Sequence, residues 1–221
     1  MLSIILGILP GIVFSILFFL LDKNKKDINK VFLISAFICG CLSSYLCYRL
    51  EWHFGSYFKK VAVSNIFEVF IYALFGVAIF EEGLKLFFSI LFSGFDGVKK
   101  ISNVVTYSVF TTCGFLSFEN VVFYSMRYGL ITSFNRLFSS SPGHVCYGII
   151  MGLFLYKVNK IDIKSGLNLL LALFVPSILH AIYNTFLYKR IESMYIYSYL
   201  FLYILVIVCI FIVYKVYKEK K

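Results

Sequence analysis

The sequence predicts an all-α integral membrane protein, built as a polytopic bundle of about seven transmembrane helices plus one interfacial amphipathic helix. Of the 221 residues, 61% are apolar and only 14% are charged, whereas soluble domains average about half apolar and a quarter charged residues. The mean hydropathy is +0.89. The apolar runs have spanning length, because about 20 helical residues cross a hydrocarbon core of about 30 Å. No repeat or linker divides the chain, so residues 1–221 are interpreted as one integral membrane domain.

Seven apolar runs predict the spans. In chain order they are Leu2–Leu21, Val31–Leu50, Val69–Phe92, Val104–Met126, Pro142–Tyr156, Gly166–Tyr188 and Tyr195–Tyr214. The first run has no basic segment before it and no small-residue cleavage site after it, which favours a retained span over a removable signal peptide. The fifth is short, and its proline suits the first turn of a helix.

A more polar segment separates the second run from the third. Residues 51–68 mix charged and aromatic side chains, such as Trp52, Lys59 and Phe67. This composition predicts an amphipathic helix that lies on the membrane surface. A separate short crossing is the alternative interpretation.

Lysines and arginines predict the orientation in the cell membrane. With the N-terminus outside and the C-terminus in the cytoplasm, the cytoplasmic segments hold thirteen of these residues and the outer segments seven, Arg136 among them. This distribution agrees with the positive-inside rule. The net charge of +10 is explained by attraction of the cytoplasmic segments to anionic lipid. The predicted partners therefore include the lipid bilayer and exclude nucleic acid.

Five ionisable side chains interrupt the apolar runs: Glu81, Glu82, Glu119, His144 and His180. Burying such a group in hydrocarbon costs several kcal/mol, so each must face a polar group, a cavity or a substrate. In the predicted topology Glu81 lies about 18 Å below the outer end of its span. Glu119 and His180 lie about 22 Å above the cytoplasmic ends of theirs, and His144 enters from the outside. We therefore expect one shared cavity between the midplane and the outer surface.

Helical spacing groups these residues further. Residues four apart lie on one face of a helix, which pairs Glu81 with Lys85 and His180 with Asn184. Glu82 lies about 100° around the helix from Glu81. We therefore expect one of the two acids to face the reacting centre and the other to hold Lys85 or a neighbouring helix.

Close helix packing is predicted beside His144. Gly148 and Gly152 form a small-xxx-small pattern, which lets a partner helix approach closely. Each polar motif also has a purely structural interpretation, in which ion pairs and hydrogen bonds only hold the helices together. The shared depth of the motifs favours a functional site.

Carboxylates and imidazoles in a partly dry cavity suit the activation of water. A glutamate accepts a proton from the water, and histidine and asparagine donate to the developing oxyanion. The same residue types bind zinc with an open position for water. The candidate zinc ligands are Glu81, Glu119, His144 and His180. The sequence leaves both mechanisms open, but it places every aspartate in a loop, which excludes an intramembrane aspartyl protease.

Four motifs follow one another along the chain: EEGLK at Glu81–Lys85, GFLSFEN at Gly114–Asn120, SPGH at Ser141–His144 and HAIYN at His180–Asn184. In this order they resemble the motifs of the PrsW family, polytopic intramembrane proteases that are distantly similar to the CAAX-processing and bacteriocin-immunity (Abi) group. The motif-bearing core covers about residues 69–188. The resemblance implies that Glu81, Glu82, Glu119 and His144 are required, that His180 and Asn184 complete the site, and that Lys85 and Asn120 support it. One departure is NVVTYS at residues 103–108, where the family usually has a DG-hydrophobic-YG stretch.

The resemblance also implies a biological role. A bacterial protein of this family is expected to cut a single-pass anti-sigma factor near its extracytoplasmic side, as the first step of an envelope stress response. A non-catalytic membrane-binding or bacteriocin-immunity protein is the alternative, because the same scaffold can bind without cutting. An ion-coupled or proton-coupled transporter is a further alternative, and the lack of a repeat relating the two halves disfavours it.

Overall fold

The computed structural model describes residues 1–61, 65–97, 100–158, 163–188 and 192–218. Across these ranges the chain is a bundle of helices without a β-strand, which confirms the predicted class. The helices are α1 (Leu2–Leu21), α2 (Lys30–Val61), α3 (Ile66–Ala73), α4 (Ile79–Phe95), α5 (Ile101–Glu119), α6 (Met126–Phe138), α7 (Ser140–Tyr156), α8 (Ile163–Tyr188) and α9 (Glu192–Lys218). Two π-helical segments, Leu74–Ala78 and Asn120–Ser125, join α3 to α4 and α5 to α6.

Five helical stretches among the described residues are long and apolar enough to cross a membrane. They are Leu2–Leu21, Lys30–Leu50, Ile101–Phe138, Ile163–Tyr188 and Met194–Lys218. The other two predicted spans are the continuous helix over residues 66–95 and the 17-residue α7. These two carry Glu81, Glu82, Lys85 and His144 near one another in the bundle. The two helices with the weakest membrane-spanning signal therefore carry Glu81, Glu82 and His144, whereas Glu119 and His180 lie on α5 and α8.

Helix α5 forms the centre of the bundle and packs against α1, α2, α4 and α7. Its buried surface is rich in small polar residues, and the hydroxyls of Thr111 and Ser117 donate to the carbonyls of Tyr107 and Cys113 one turn earlier. Small residues let helix backbones approach in a membrane. At Gly114 any side chain would overlap the backbone carbonyl of Phe37 on α2. The central position of α5 therefore follows from its composition.

The outer helices α1 and α9 expose large apolar side chains. Leu9 and Ile16 on α1 are exposed, as are Ile207 and Phe211 on α9. A soluble protein rarely shows apolar surface of this extent. In a bilayer these side chains contact lipid, so the exposed apolar surface agrees with a membrane protein.

Two boundaries differ from the sequence prediction. Helix α2 continues through Leu50 to Val61, so residues 51–61 extend this helix and do not begin a separate one. The part of α2 that is apolar enough to cross a membrane ends at Leu50. No proline interrupts this segment, and a change to polar composition does not by itself end a helix. Asn65 and Glu68 then form a capping box at the start of α3. Residues 62–64 of the predicted interfacial helix lie outside the described ranges.

The predicted close packing beside His144 is confirmed, and the partner helix is α5. A Cβ atom on Gly152 would lie 2.7 Å from the Cα atom of Val105. A Cβ atom on Gly148 would lie 2.6 Å from the Thr112 hydroxyl. Only glycine at these positions allows α7 to approach α5 this closely.

A buried polar cluster joins the helix ends at the opposite end of the bundle from Ser140. The Asp22 carboxylate is fully buried and accepts a hydrogen bond of 3.0 Å from Thr106. The Thr106 hydroxyl also lies 2.9 Å from the Tyr217 hydroxyl, and Tyr107 donates to Asp96 at 2.7 Å. The cluster therefore ties the end of α1 to α5 and α9, and α5 to the end of α4.

Candidate active site

Helix α4 presents two neighbouring carboxylates to one lysine. The Lys85 ammonium donates to Glu81 Oε2 at 3.3 Å and to Glu82 Oε1 at 2.9 Å. Glu82 and Lys85 are fully buried. The π-helical segment Leu74–Ala78 leads directly into α4, whose first turn carries both acids. π-Helical turns are frequent at functional sites.

Two histidines from other helices complete this group. The Nδ1 atom of His180 on α8 lies 2.9 Å from Glu82 Oε1 and 3.9 Å from Glu81 Oε2. The Nδ1 atom of His144 on α7 lies 3.2 Å from the Lys85 ammonium. The two imidazole rings are 5.1 Å apart and nearly perpendicular.

Glu119 extends the group on the other side of His144. Its Oε2 atom lies 3.0 Å from His144 Nε2. Because the Lys85 ammonium can only donate, His144 Nδ1 accepts, and Nε2 is then the N–H group that faces the Glu119 carboxylate. Glu119 is the last residue of α5, and the second π-helical segment follows it directly.

Arg136 on α6 forms an ion pair with Glu119. Its Nη2 atom lies 2.9 Å from Glu119 Oε2, and its Nε atom donates to Asn120 Oδ1 at 2.5 Å. The guanidinium also lies 3.6 Å from the ring centre of Tyr124, a favourable cation–π distance. Gly129, with φ of 79°, interrupts α6 in a conformation that favours glycine. This break lies between the second π-helical segment and Arg136.

A cavity of about 270 Å³ borders the cluster. Its walls come from α2, from α4 to α8 and from both π-helical segments. The polar side chains on its walls include Glu81, Glu119, Arg136, His144, His180 and Asn184. A partly enclosed space beside carboxylates and imidazoles can hold a peptide bond and a water molecule away from bulk solvent.

The structure brings the five ionisable residues of the sequence analysis into one connected cluster. Glu81 lines the cavity, whereas Glu82 lies behind it and contacts both Lys85 and His180. Lys85 contacts both acids rather than one. Asn184 also lines the cavity.

Asn120 supports the cluster from outside the cavity. Its amide donates to Ser141 Oγ at 3.0 Å and to the Gly7 carbonyl at 3.3 Å, while its oxygen accepts from Arg136. It therefore connects the end of α5 to the start of α7 and to α1. This position agrees with a supporting role for Asn120.

Sequence reasoning missed Arg136 and Tyr147. The sequence analysis assigns Arg136 to the charges of the outer segments, but its side chain is buried and paired with Glu119. No local motif marks it, because its burial depends on how α6 packs. Tyr147 stacks on His180 with ring centres 5.0 Å apart and planes at 19°. Tyr147 follows His144 by three residues, and this spacing alone predicts that the two side chains lie on the same face of the helix.

Comparison with known proteins identifies the family. The sequence model described as "PrsW family intramembrane metalloprotease" matches residues 29–214. The chain belongs to the PrsW family. It is therefore an intramembrane protease.

Several relatives of this PrsW-family protease bear the name "Protease PrsW". One from Oceanobacillus iheyensis is 31% identical over 195 residues, which cover 87% of this chain and 86% of the relative. One from Clostridioides difficile is 30% identical over 165 residues, which cover 70% of this chain and 66% of the relative. One from Halalkalibacterium halodurans is 27% identical over 172 residues, covering 77% and 76%. No solved structure matches the chain.

The family description makes a metal ion a candidate for this PrsW-family site. Among the described residues, one ligand atom from each of Glu81, Glu82, His144 and His180 lies within 4.8 Å of the other three. Nitrogen and oxygen donors of this kind suit zinc, and Glu82 Oε2 is buried without a hydrogen-bond partner in the described part of the chain. The residues therefore fit a metal site. This group differs from the predicted ligand set in holding Glu82 instead of Glu119, whose carboxylate lies 2.9 Å from Arg136.

Proposed function

We propose that this PrsW-family protease hydrolyses a peptide bond of a single-pass membrane protein of the anti-sigma-factor class, near the extracytoplasmic side. The observation that carries the proposal is the connected cluster of carboxylates and histidines beside an intramembrane cavity. The predicted orientation places this cluster nearer the outer surface. The substrate class follows from the family resemblance.

Glu81 is the proposed general base, because it lines the cavity while Glu82 is enclosed. It accepts a proton from the attacking water as the water oxygen bonds to the carbonyl carbon. Asn184, also on the cavity wall, is placed to donate to the carbonyl oxygen as its negative charge develops, and His144 links Lys85 to Glu119 beside it. Lys85 offsets the charge of the acid pair and keeps both carboxylates oriented.

Zinc is the proposed cofactor for the metal-dependent form of this mechanism. Glu81, Glu82, His144 and His180 would hold the ion, which supplies Lewis-acid polarisation of the carbonyl and a more acidic water. Glu119 lines the cavity outside this set and is then the remaining carboxylate base. The Lys85 ammonium contacts three of the four donor residues, so it competes with the ion for their negative charge.

The substrate must present an unfolded segment to the cavity. Carbonyls within a helix are hydrogen-bonded, and a membrane-embedded helix keeps these bonds because water is absent. We therefore expect cleavage close to a helix end of the substrate or at a residue that weakens its helix. A cut near the extracytoplasmic end of the substrate helix meets this condition.

The test is cleavage of tagged single-pass membrane proteins, anti-sigma factors included, by the purified protein in liposomes. Glu81→Gln and His144→Ala are expected to lower the cleavage rate by about 10²–10⁴-fold. Glu68→Gln is the matched control, since glutamine also serves in a capping box and Glu68 lies at the start of α3 away from the cavity. Chelation followed by zinc addition distinguishes the two mechanisms, because only the metal-dependent one is abolished and restored. Full activity of a folded Glu81→Gln protein would contradict the proposed base.

A further inference from the structure

Three residues of the cavity wall, Ser44, Ser140 and Tyr147, have a buried hydroxyl with no hydrogen-bond partner among the described residues. Ser140 and Tyr147 are 7% and 1% exposed, and both line the cavity. Within the part of the chain that the structure describes, neither hydroxyl forms a hydrogen bond. An unpaired buried hydroxyl opposes folding, and such groups in native proteins often have a functional explanation. Of the three, Ser140 and Tyr147 lie on α7, the helix that carries the site residue His144.

The two hydroxyls lie on the same face of α7 as a site histidine. Ser140 and Tyr147 are two helical turns apart, and His144 lies between them. The Tyr147 phenol lies beside Gly143, where a Cβ atom would be 3.4 Å from its hydroxyl oxygen. The His144 imidazole, between Ser140 and Tyr147 on this face, lies next to Lys85 and Glu119.

The site histidines hold the Tyr147 ring in place. The ring stacks on His180 at 5.0 Å, and its edge contact with His144 has ring centres 5.9 Å apart and planes at 82°. A phenol fixed in this way needs little reorganisation when charge develops next to it. The ring contacts with His144 and His180 therefore fix the position of the Tyr147 hydroxyl, which itself forms no hydrogen bond to the described residues.

The start of α7 also favours negative charge. The first N–H groups of a helix have no partner within the helix, and they form the positive end of its dipole. Ser139 precedes α7 and provides no side-chain hydrogen bond to these groups. The Ser140 hydroxyl belongs to this first turn. Together with Tyr147 it makes this end of the cavity rich in hydrogen-bond donors.

We propose that the Ser140 and Tyr147 hydroxyls form an oxyanion-binding site for peptide hydrolysis, which rests on the proposed function. The water oxygen bonds to the carbonyl carbon, the π-electron pair of the carbonyl moves to its oxygen, and the water proton passes to a glutamate. The two hydroxyls donate hydrogen bonds to this oxyanion and transfer no proton. The C–N bond then breaks, the glutamate returns the proton to the leaving nitrogen, and a carboxylate and an ammonium group result after the acid ionises. Such donors act where charge develops, so they lower the barrier more than they tighten substrate binding.

The test measures kcat, KM and Tm of Tyr147→Phe and Ser140→Ala with an internally quenched single-pass transmembrane peptide that the wild type cleaves. Removing an oxyanion donor lowers kcat by about 100-fold, and KM is expected to change little. Because neither hydroxyl has a protein partner, Tm should stay equal or rise. Phenylalanine keeps the stacking on His180, so Tyr147→Phe retains the fold.

Matched controls come from hydroxyls that have partners elsewhere. Tyr107 donates to Asp96, and Ser198 donates to the Tyr195 carbonyl at 2.7 Å. Tyr107→Phe and Ser198→Ala should lower Tm and leave kcat unchanged.

Three results bear on the proposal. A loss of kcat with unchanged KM and an equal or higher Tm supports it. Unchanged kcat in both Tyr147→Phe and Ser140→Ala overturns it, and so does a fall in Tm that matches the controls. Glu81→Gln, assayed beside them, tests the proposed function separately, since cleavage that persists in that variant contradicts the proposed base whatever the hydroxyl variants do.

Discussion

Adjacent buried carboxylates repel each other, and Lys85 offsets this repulsion in the cluster. Its ammonium contacts Glu81, Glu82 and His144 at 3.3, 2.9 and 3.2 Å. It also lies 3.8 Å from the ring centre of Phe115, whose π face attracts a cation. Lys85 is thus surrounded by groups that favour its positive charge. This internal cation lets two neighbouring acids share one buried helix face.

Arg136 is predicted to stabilise the fold through Glu119. Removing one partner of a buried ion pair costs about 3–5 kcal/mol, because the other charge remains buried. We expect Arg136→Met to lower the free energy of unfolding by this amount, measured by thermal unfolding in detergent. Combining it with Glu119→Gln should restore much of the loss, because the buried charge is removed.

Arg127→Met is the control for this prediction. Arg127 is exposed, and its guanidinium lies 5.8 Å from the ring centre of Phe123, so its replacement should change stability by less than about 0.5 kcal/mol. If the losses of the two single variants simply add in the double variant, Arg136 and Glu119 do not act as a pair.

At the scale of single residues, the sequence identified those members of the cluster that interrupt apolar runs. Glu81, Glu119 and His180 were recognisable because an ionisable group in hydrocarbon needs a partner. Arg136 lies in a segment with other polar residues, where a charge is ordinary, and its burial depends on tertiary packing. Tyr147 belongs to a chain that is 20% aromatic, so composition could not single it out.

Among the helices, the two π-helical segments were the feature that the sequence did not predict. Leu74–Ala78 lies just before the acids of α4, and Asn120–Ser125 follows Glu119. Apolar periodicity located the helices that contain them, but a π-helical turn inserts one residue without changing the apolar character of the run. Hydrogen bonds to other helices, such as those of Asn120, fix where the turn occurs.

Packing of α7 on α5 is predicted to control both stability and activity. Gly152→Val places a side chain 2.7 Å from the Val105 backbone, and a backbone contact cannot be relieved by changing a rotamer. Overpacking of this kind costs about 1–3 kcal/mol. Moving α7 away from α5 also separates His144 from Glu119, so kcat should fall together with Tm.

Gly166→Val is the matched control, since a Cβ atom at Gly166 meets no atom within 4 Å. Its Tm and kcat should stay near those of the wild type. A Gly152→Val protein with wild-type Tm would show that α7 and α5 do not depend on this close approach.

On the scale of the whole molecule, two buried polar clusters lie at opposite ends of the bundle. One surrounds Lys85 and borders the cavity, and the other joins Asp22, Thr106 and Tyr217. The sequence analysis recognised only the first, because aspartates near predicted loops look solvated. The helical class and the order of the apolar spans were predictable from runs of spanning length, whereas α6 was not. The second cluster depends on how the helix ends meet, which single-sequence periodicity does not contain.

The predicted orientation determines which face of the membrane the cavity serves. With thirteen lysines and arginines on the cytoplasmic side and seven outside, the cluster of Asp22 and Tyr217 should face the cytoplasm. A fluorescent protein fused after Lys218 should then fluoresce. Alkaline phosphatase, which is active only outside the cytoplasm, should be active when fused after Tyr188 and inactive after Lys157. The opposite pattern would place the cavity nearer the cytoplasmic surface, and an extracytoplasmic cut of an anti-sigma factor by this cluster would then be ruled out.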